Sequence, residues 1–279
     1  MSRKPSSKGP SNRVERVQKL LAGAGAGSRR AIEKEIALGH VRLNDRQAEL
    51  GDTAGDGDRL CLGVQCWQVT RRPLAHRSLV YNKPEGEVTT RSDPQGRPTV
   101  FDRLPRLKQG RWIAVGRLDI NTTGLLLLTT DGELANAMMH PSNEVDREYA
   151  CRILGKVDPM MIQRLKSGVE LEDGPAHFSD IVDSGGEGEN RWFHVTLMEG
   201  RNREVRRLWA SQGVRVSRLK RVRYGAAFLP KRLRMGAWHE FSAQDHCVLR
   251  EDVGLSSHAQ GLQLKPIGRA RKPAGKRRR

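Results

Sequence analysis

GRLDINTTGLLLLTTDG, residues 116–132, is the stretch on which the reading of this chain turns. Its four consecutive leucines, 125–128, make a fully apolar strand. The loop before them sets Asp119 between Arg117 and the small polar group Asn121-Thr122-Thr123-Gly124. A carboxylate at a strand mouth, with hydroxyls and a cation near it, can be positioned and kept ionised. The same spacing also fits a plainer role, in which Asp119 caps the turn and pairs with Arg117. Asp131 reads differently. In TDGEL it is a helix N-cap followed by a first-turn acid, Glu133, and is structural.

Downstream, the spacing predicts a helix to Met139, stopped before Pro141, a strand over 149–154 and a helix opening at Asp158. Phe193, Val195 and Leu197 alternate as a strand. A helix over 202–212 turns Val205, Leu208 and Trp209 inward, and VRVSRLKRVRYG follows as another alternating segment. Upstream, this body begins at Leu79 with LVYNKPEGEVTT. A smaller body precedes it: helices over 13–24 and 29–38, the second capped by Ser28, with short strands near Val41-Arg42-Leu43 and RLCLGV. TRRPLAHRS (70–78) has no apolar period and reads as a linker. Strands interleaved irregularly with helices give an α+β class with a mostly antiparallel sheet.

The net charge is +18, from 50 Lys+Arg against 32 Asp+Glu in 279 residues. Residues 1–13 hold four basic side chains and 265–279 hold eight, with no acid in either stretch. Both ends are expected to be disordered arms that touch phosphates, although tails that only confer solubility fit the same composition. RNA or DNA is the favoured partner class. No apolar run approaches bilayer length, so no membrane span is expected, and the N-terminus has no signal-like apolar core. The four cysteines form no CxxC pair, which speaks against a disulfide scaffold or zinc ribbon and for a reducing cytoplasm. There is no HExxH, no Cys/His cluster and no phosphate-cradling glycine loop, so neither a metal nor a nucleotide cofactor is expected.

Two further clusters can carry chemistry. EGRNREVRRLW (199–209) crowds Arg201, Arg203, Arg206 and Arg207 at one helix start. One arginine can turn inward to a carboxylate while others meet phosphates, or the face can simply be solvated. Arg147-Glu148-Tyr149 enters a strand, where a tyrosine is either core or a stacking ring for a base. Arg29 and Arg30 occupy the first turn of the second helix, where backbone amides already favour an anion.

Three of these pieces in this order, GRLDINTTGLLLLTTDG, the (Lys/Arg)-x-Tyr strand and EGRNREVRRL, resemble the signatures of RNA pseudouridine synthases. The branch is the one that modifies ribosomal RNA and carries an N-terminal S4 domain, to which RVQKLLAGAGAGSRRAIEKEIALGHVRLND is similar. NKPEGEVTTRSDPQGRPTVFDRLP and RWIAVGRLDINTTGLLLLTTDGELANAMMHPS narrow the likeness to enzymes of the large subunit. The resemblance covers roughly 14–250. Arg147 departs from the lysine common in relatives, and Asp45 stands where glycine is usual.

The resemblance implies a basic arm (1–12), an S4-like RNA-binding domain (13–69), a linker (70–78), a pseudouridine synthase domain (79–252) and a disordered basic tail (253–279). It implies that Asp119 is the catalytic aspartate, that Tyr149 stacks on the target base and that Arg206 pairs with the carboxylate. Leu219 would line the pocket. Arg117, Arg147, Arg201, Arg203, Arg207, Arg29 and Arg30 would contact RNA. The implied reaction converts a uridine of 23S ribosomal RNA, expected at position 2605, to pseudouridine. The enzyme would be a cytoplasmic monomer with no cofactor, working on rRNA or a pre-ribosomal particle. Two other classes compete with it. A glycosidase needs a second, matched acid, and none has a comparable setting. A non-catalytic assembly binder gives no reason for Asp119 in its motif.

Overall fold

Ser28 takes the N-cap of the Arg29–Ala37 helix, its hydroxyl accepting the Ala31 amide at 3.1 Å. Ile32 and Ile36, one turn apart, then face inward together, and both are buried. The computed structural model describes residues 14–73, 75–108, 110–187, 190–258 and 260–269. They divide into two units.

The first unit runs to Ala75 and adds Leu107–Arg111 and the C-terminal stretch from His258. Its core joins Val17, Leu20 and Leu21 of the Val17–Gly23 helix to Ile32, Ile36, Val41, Leu60, Trp67 and Val69. Under the helices lies an antiparallel sheet in the order Gln260–Arg269, Gln65–Pro73, Arg59–Leu62, Val41–Leu43, Arg46–Gln47.

Three expectations are corrected here. The presumed linker over 70–78 opens as strand, because Gln65–Pro73 runs into it, and the division between the two units falls after Ala75. The presumed disordered tail supplies that strand's partner, Gln260–Arg269, with Leu262 and Leu264 buried two residues apart on the core face. The lysines and arginines that follow it masked this short alternation. Residues 270–279, and 1–13 at the other end, lie outside the described residues. Finally, Cys61 and Cys66 stand opposite each other across the Arg59–Leu62/Gln65–Pro73 hairpin and form a disulfide. A tight turn at Gly63 (φ +57°) returns the chain on itself, so strand register brings the two thiols together where chain spacing alone suggested no pair. The bond staples one hairpin and is no scaffold.

The second unit, His76–Arg106 and Trp112–Ser257, is built on a nine-stranded sheet. Its main order is Asp180–Glu187, Asn190–Leu197, Arg147–Leu154, Arg215–Tyr224, Thr123–Thr129, Ser78–Lys83, Trp238–Glu240, with Ala227–Phe228 and Ile113–Val115 attached. Its pairings are antiparallel except that of Arg215–Tyr224 with Thr123–Thr129. The four leucines occupy the middle of the sheet. Leu125 and Leu127 pack with Leu134, Ala135, Met138 and Leu249, while Leu126 and Leu128 alternate to the other face and are equally buried. Trp209 of the Glu204–Ala210 helix packs against Phe178 and Phe193. Asp131 caps the Gly132–Met139 helix as expected, and it also holds the buried guanidinium of Arg250 from the Ala243–Asp252 helix.

Gly124 decides how tightly the parallel pair closes. A Cβ there would stand 2.3 Å from the backbone carbonyl oxygen of Arg221, and its φ of +95° is one that side-chain-bearing residues avoid.

Candidate active site

The loop between Ile113–Val115 and Thr123–Thr129 carries Asp119 and is held from beneath. The Lys83 ammonium, fully buried, donates to the carbonyls of Pro84 (3.0 Å), Ile120 (3.3 Å) and Thr122 (3.0 Å). The Thr89 hydroxyl donates to the Leu118 carbonyl at 2.9 Å, and the Gly86 amide donates to that of Ile120 at 2.9 Å. These bonds hold the carbonyls of Leu118, Ile120 and Thr122, and the Asp119 side chain between them is 35% exposed. Burial lowers the Lys83 pKa to about 8, opposed by the charges of Glu87, Asp119 and Glu85.

Neither local reading of Asp119 describes its contacts. The neighbouring hydroxyls do not hold the carboxylate: that of Thr123 donates to the Leu219 carbonyl at 3.3 Å, and that of Thr122 is buried without a partner. Nor does Arg117 pair with it; Arg117 is exposed. The cation at Asp119 is Arg203, whose Nη1 lies 3.8 Å from Oδ2.

The helix Glu204–Ala210 explains that choice. Arg203, its N-cap, has φ +50° and ψ +29°, a left-handed conformation rare for a residue with a side chain. Arg206, expected to be the carboxylate's partner, donates instead to the carbonyls of Val216 (2.9 Å) and Asn121 (3.3 Å). It therefore meets the Asp119 loop at its backbone. Its pKa is lowered by burial and by the neighbouring Arg203 charge, against an upward pull from Asp119 and Glu85.

Two arginines expected to contact phosphate are engaged elsewhere. Arg207 makes a bidentate pair with Asp173 at 2.7 and 2.9 Å. Arg201 is bound to Glu199 at 2.5 Å and reaches the carbonyls of Asp173 and Gly174.

Arg147 is a plainer correction. It is buried, donating to the carbonyls of Val145, Met138, Met198 and Glu199 and to the Tyr224 hydroxyl, with its guanidinium over the Tyr224 ring. The alternation of its strand points it inward, where a cation must find several acceptors or not be there. Arg29 and Arg30, in the other unit, are exposed in their helix's first turn.

Sheet register assembles the rest. Lys83 pairs with Gly124, Gly124 with Arg221, and Arg221 with Tyr149, a row across four adjacent strands. Tyr149 therefore sits two strand spacings, about 10 Å, from Gly124 at the mouth that carries Asp119. It is 9% exposed, and Leu219, two residues before Arg221, is 6% exposed. An accessible carboxylate with Arg203 beside it, and with Lys83 and Arg206 close enough to feel its charge, can serve as a nucleophile or a base.

Comparison with known proteins agrees. Residues 77–211 match the RNA pseudouridylate synthase family. The ribosomal large subunit pseudouridine synthase B of Pseudomonas aeruginosa is 54% identical, over 95% of this chain and 73% of its own length. That of Escherichia coli is 57% identical, over 86% and 84%. The chain belongs to the ribosomal large subunit pseudouridine synthase B family. As a member it is an RNA pseudouridine synthase, an isomerase, and the purely binding alternative falls away. A solved pseudouridylate synthase shares the fold, with a TM-score of 0.58 at 23% identity over 85% of this chain and 99% of that one.

Within this family member, two site residues escaped the sequence reading of roles. Lys83 stood in the quoted NKPEG stretch, and its signal was a lysine ending an otherwise apolar strand, where only a bonded ammonium is tolerated. Arg221 is 2% exposed, donates to the Leu125 carbonyl at 2.8 Å and lies over the Tyr224 ring. Its alternation within a basic strand could have revealed it. Among the described residues, no group of three or more His, Cys, Asp and Glu side chains could hold a metal, and no helix is long and apolar enough to cross a membrane.

Proposed function

We propose that this enzyme isomerises one uridine of 23S ribosomal RNA, uridine 2605, with Asp119 as its catalytic carboxylate. The observation that carries the reading is the half-buried, solvent-accessible Asp119 carboxylate on a loop whose carbonyls are held by Lys83 and Arg206. The N1–C1′ bond breaks, the uracil turns, and a C5–C1′ bond forms. C5 loses its proton and N1 ends protonated, so no atom is gained or lost. The step needs one ionised carboxylate, either as nucleophile at C1′ or as base at C2′. Tyr149 and Leu219 form the wall that retains the detached base, and Arg203 balances the charge of Asp119.

The uridine must leave its stack, at a cost of a few kcal/mol. Phosphate contacts offset that cost. Arg117 and the S4-like first unit, through Arg29 and Arg30, supply them in this reading, and the enzyme acts as a cytoplasmic monomer without a cofactor. The test is to map pseudouridine in rRNA from a strain lacking the gene, complemented with the wild type or with Asp119→Asn. Loss of one modification, restored only by the wild type while the variant still binds RNA, is expected. Restoration by Asp119→Asn refutes the assignment.

A further inference from the structure

Between Val205 and His239 the chain has ten lysines and arginines and no aspartate or glutamate. Four of the ten are spoken for within the fold: Arg206 by carbonyls, Arg207 by Asp173, Arg221 by burial, and Arg223 by Glu148 and Asp146. Lys231, Arg232 and Arg234 are not. All three are exposed and have no ion-pair partner among the described residues. Elsewhere in this unit Arg77, Arg97, Arg201 and Arg250 each hold an acid. The same short segment exposes Phe228 (64%), Met235 (67%) and Trp238 (38%). Cations interleaved with exposed rings, in a segment without acids, match a single-stranded nucleic acid, which offers phosphates and base faces together.

The segment is also fixed in place. Asn82 donates to the Leu233 carbonyl at 2.7 Å, and its backbone exchanges bonds with Gly236 and Ala237 at 2.8 and 2.9 Å. Trp238 pairs with Tyr81 in the strand that ends at Lys83. The strip therefore lies at the same end of the sheet as the Asp119 loop, two strand spacings (about 10 Å) from Gly124.

We propose that residues 228–239 form an RNA-contact strip beside the active site. Lys231, Arg232 and Arg234 bind phosphates of the unpaired strand flanking the target uridine, and Trp238 stacks on one of its bases. This rests on the reading of the substrate as ribosomal RNA.

The test uses full-length protein and a protein-free 23S fragment containing the target stem-loop, comparing the wild type, Lys231→Ala/Arg232→Ala/Arg234→Ala, Trp238→Ala and Trp238→Phe. The triple variant is expected to raise KM tenfold or more with kcat within about twofold. It should also lower the slope of log affinity against log salt by about 2, since each single-strand phosphate contact contributes roughly 0.7. Trp238→Ala should raise KM about fivefold or more and Trp238→Phe should largely restore it, because any ring can stack. Unchanged KM and salt slope in the triple variant overturn the strip. So does a defect seen only on ribosomal particles, which would mean a protein partner. A wild type that binds the fragment but forms no pseudouridine counts against the proposed function instead, and the salt slope still decides the strip.

Discussion

Arg203 reaches Asp119 from a left-handed backbone. Its φ of +50° turns the residue out of the helix it caps, and Nη1 comes to 3.8 Å from the carboxylate. A side-chain-bearing residue held in this conformation costs about 1 kcal/mol, and here it sets the guanidinium beside a carboxylate. Arg203→Gly removes both the strain and the charge. It should melt at or slightly above the wild-type temperature while turnover at saturating RNA falls at least tenfold. Thermal denaturation alongside single-turnover assays checks this, and a fully active, unstabilised variant contradicts it.

Arg206 and Arg207 are adjacent yet hold different things, because neighbouring helical residues point about 100° apart. Arg206→Ala frees the Asn121 carbonyl in the Asp119 loop and, with Asp119 as the proposed catalytic carboxylate, should slow the chemical step even when all RNA is bound. Arg207→Ala breaks an exposed pair with Asp173 and should leave both turnover and RNA affinity within about twofold of wild type. Single-turnover rates at excess enzyme separate the two. A slow Arg207→Ala with a normal Arg206→Ala would reverse the assignment.

Lys83 ties loop geometry to pH. With its pKa depressed from 10.5 to about 8, the folded protein binds fewer protons than the unfolded chain between those values. Stability therefore rises with pH across that window, and the burden of the buried charge is carried in full below about 8. Activity should move the other way. A neutral amine cannot serve three carbonyls as an ammonium does, so turnover should decline as pH passes about 8. Lys83→Met should be slow at every pH and less stable by roughly 2–4 kcal/mol from unpaired carbonyls. A wild-type profile flat to pH 10 argues against this.

Arg147 should behave as a core residue. Arg147→Met strands several buried carbonyls and should lower stability by roughly 3 kcal/mol, with no change in the salt dependence of RNA binding. Arg147→Lys should fall between, since one ammonium cannot reach acceptors spread around a planar guanidinium. Urea titration and salt-dependent binding give the two readouts, and a shallower salt slope would return Arg147 to the phosphate surface.

What could be read before folding was local. Ser28, Asp131 and Asp158 announce their helices because a cap needs only its next three residues. The leucine run announces a strand, and the block around Asp119 announces the family. Contacts between distant segments were not legible in this way. Leu262 and Leu264 became core because the Gln65–Pro73 strand offers them an edge nearly two hundred residues earlier in the chain. Cys61 meets Cys66 through hairpin register. Tyr149 stands near Gly124 only because Arg221 lies between them in the sheet. Among four clustered arginines, the spacing could say that one meets the carboxylate but not which. That choice belongs to the φ of Arg203, to Asp173 waiting for Arg207, and to the carbonyls of Asn121 and Val216 that claim Arg206. A side chain's partner is set by where the backbone of other segments comes to rest, and neighbouring sequence carries no record of that.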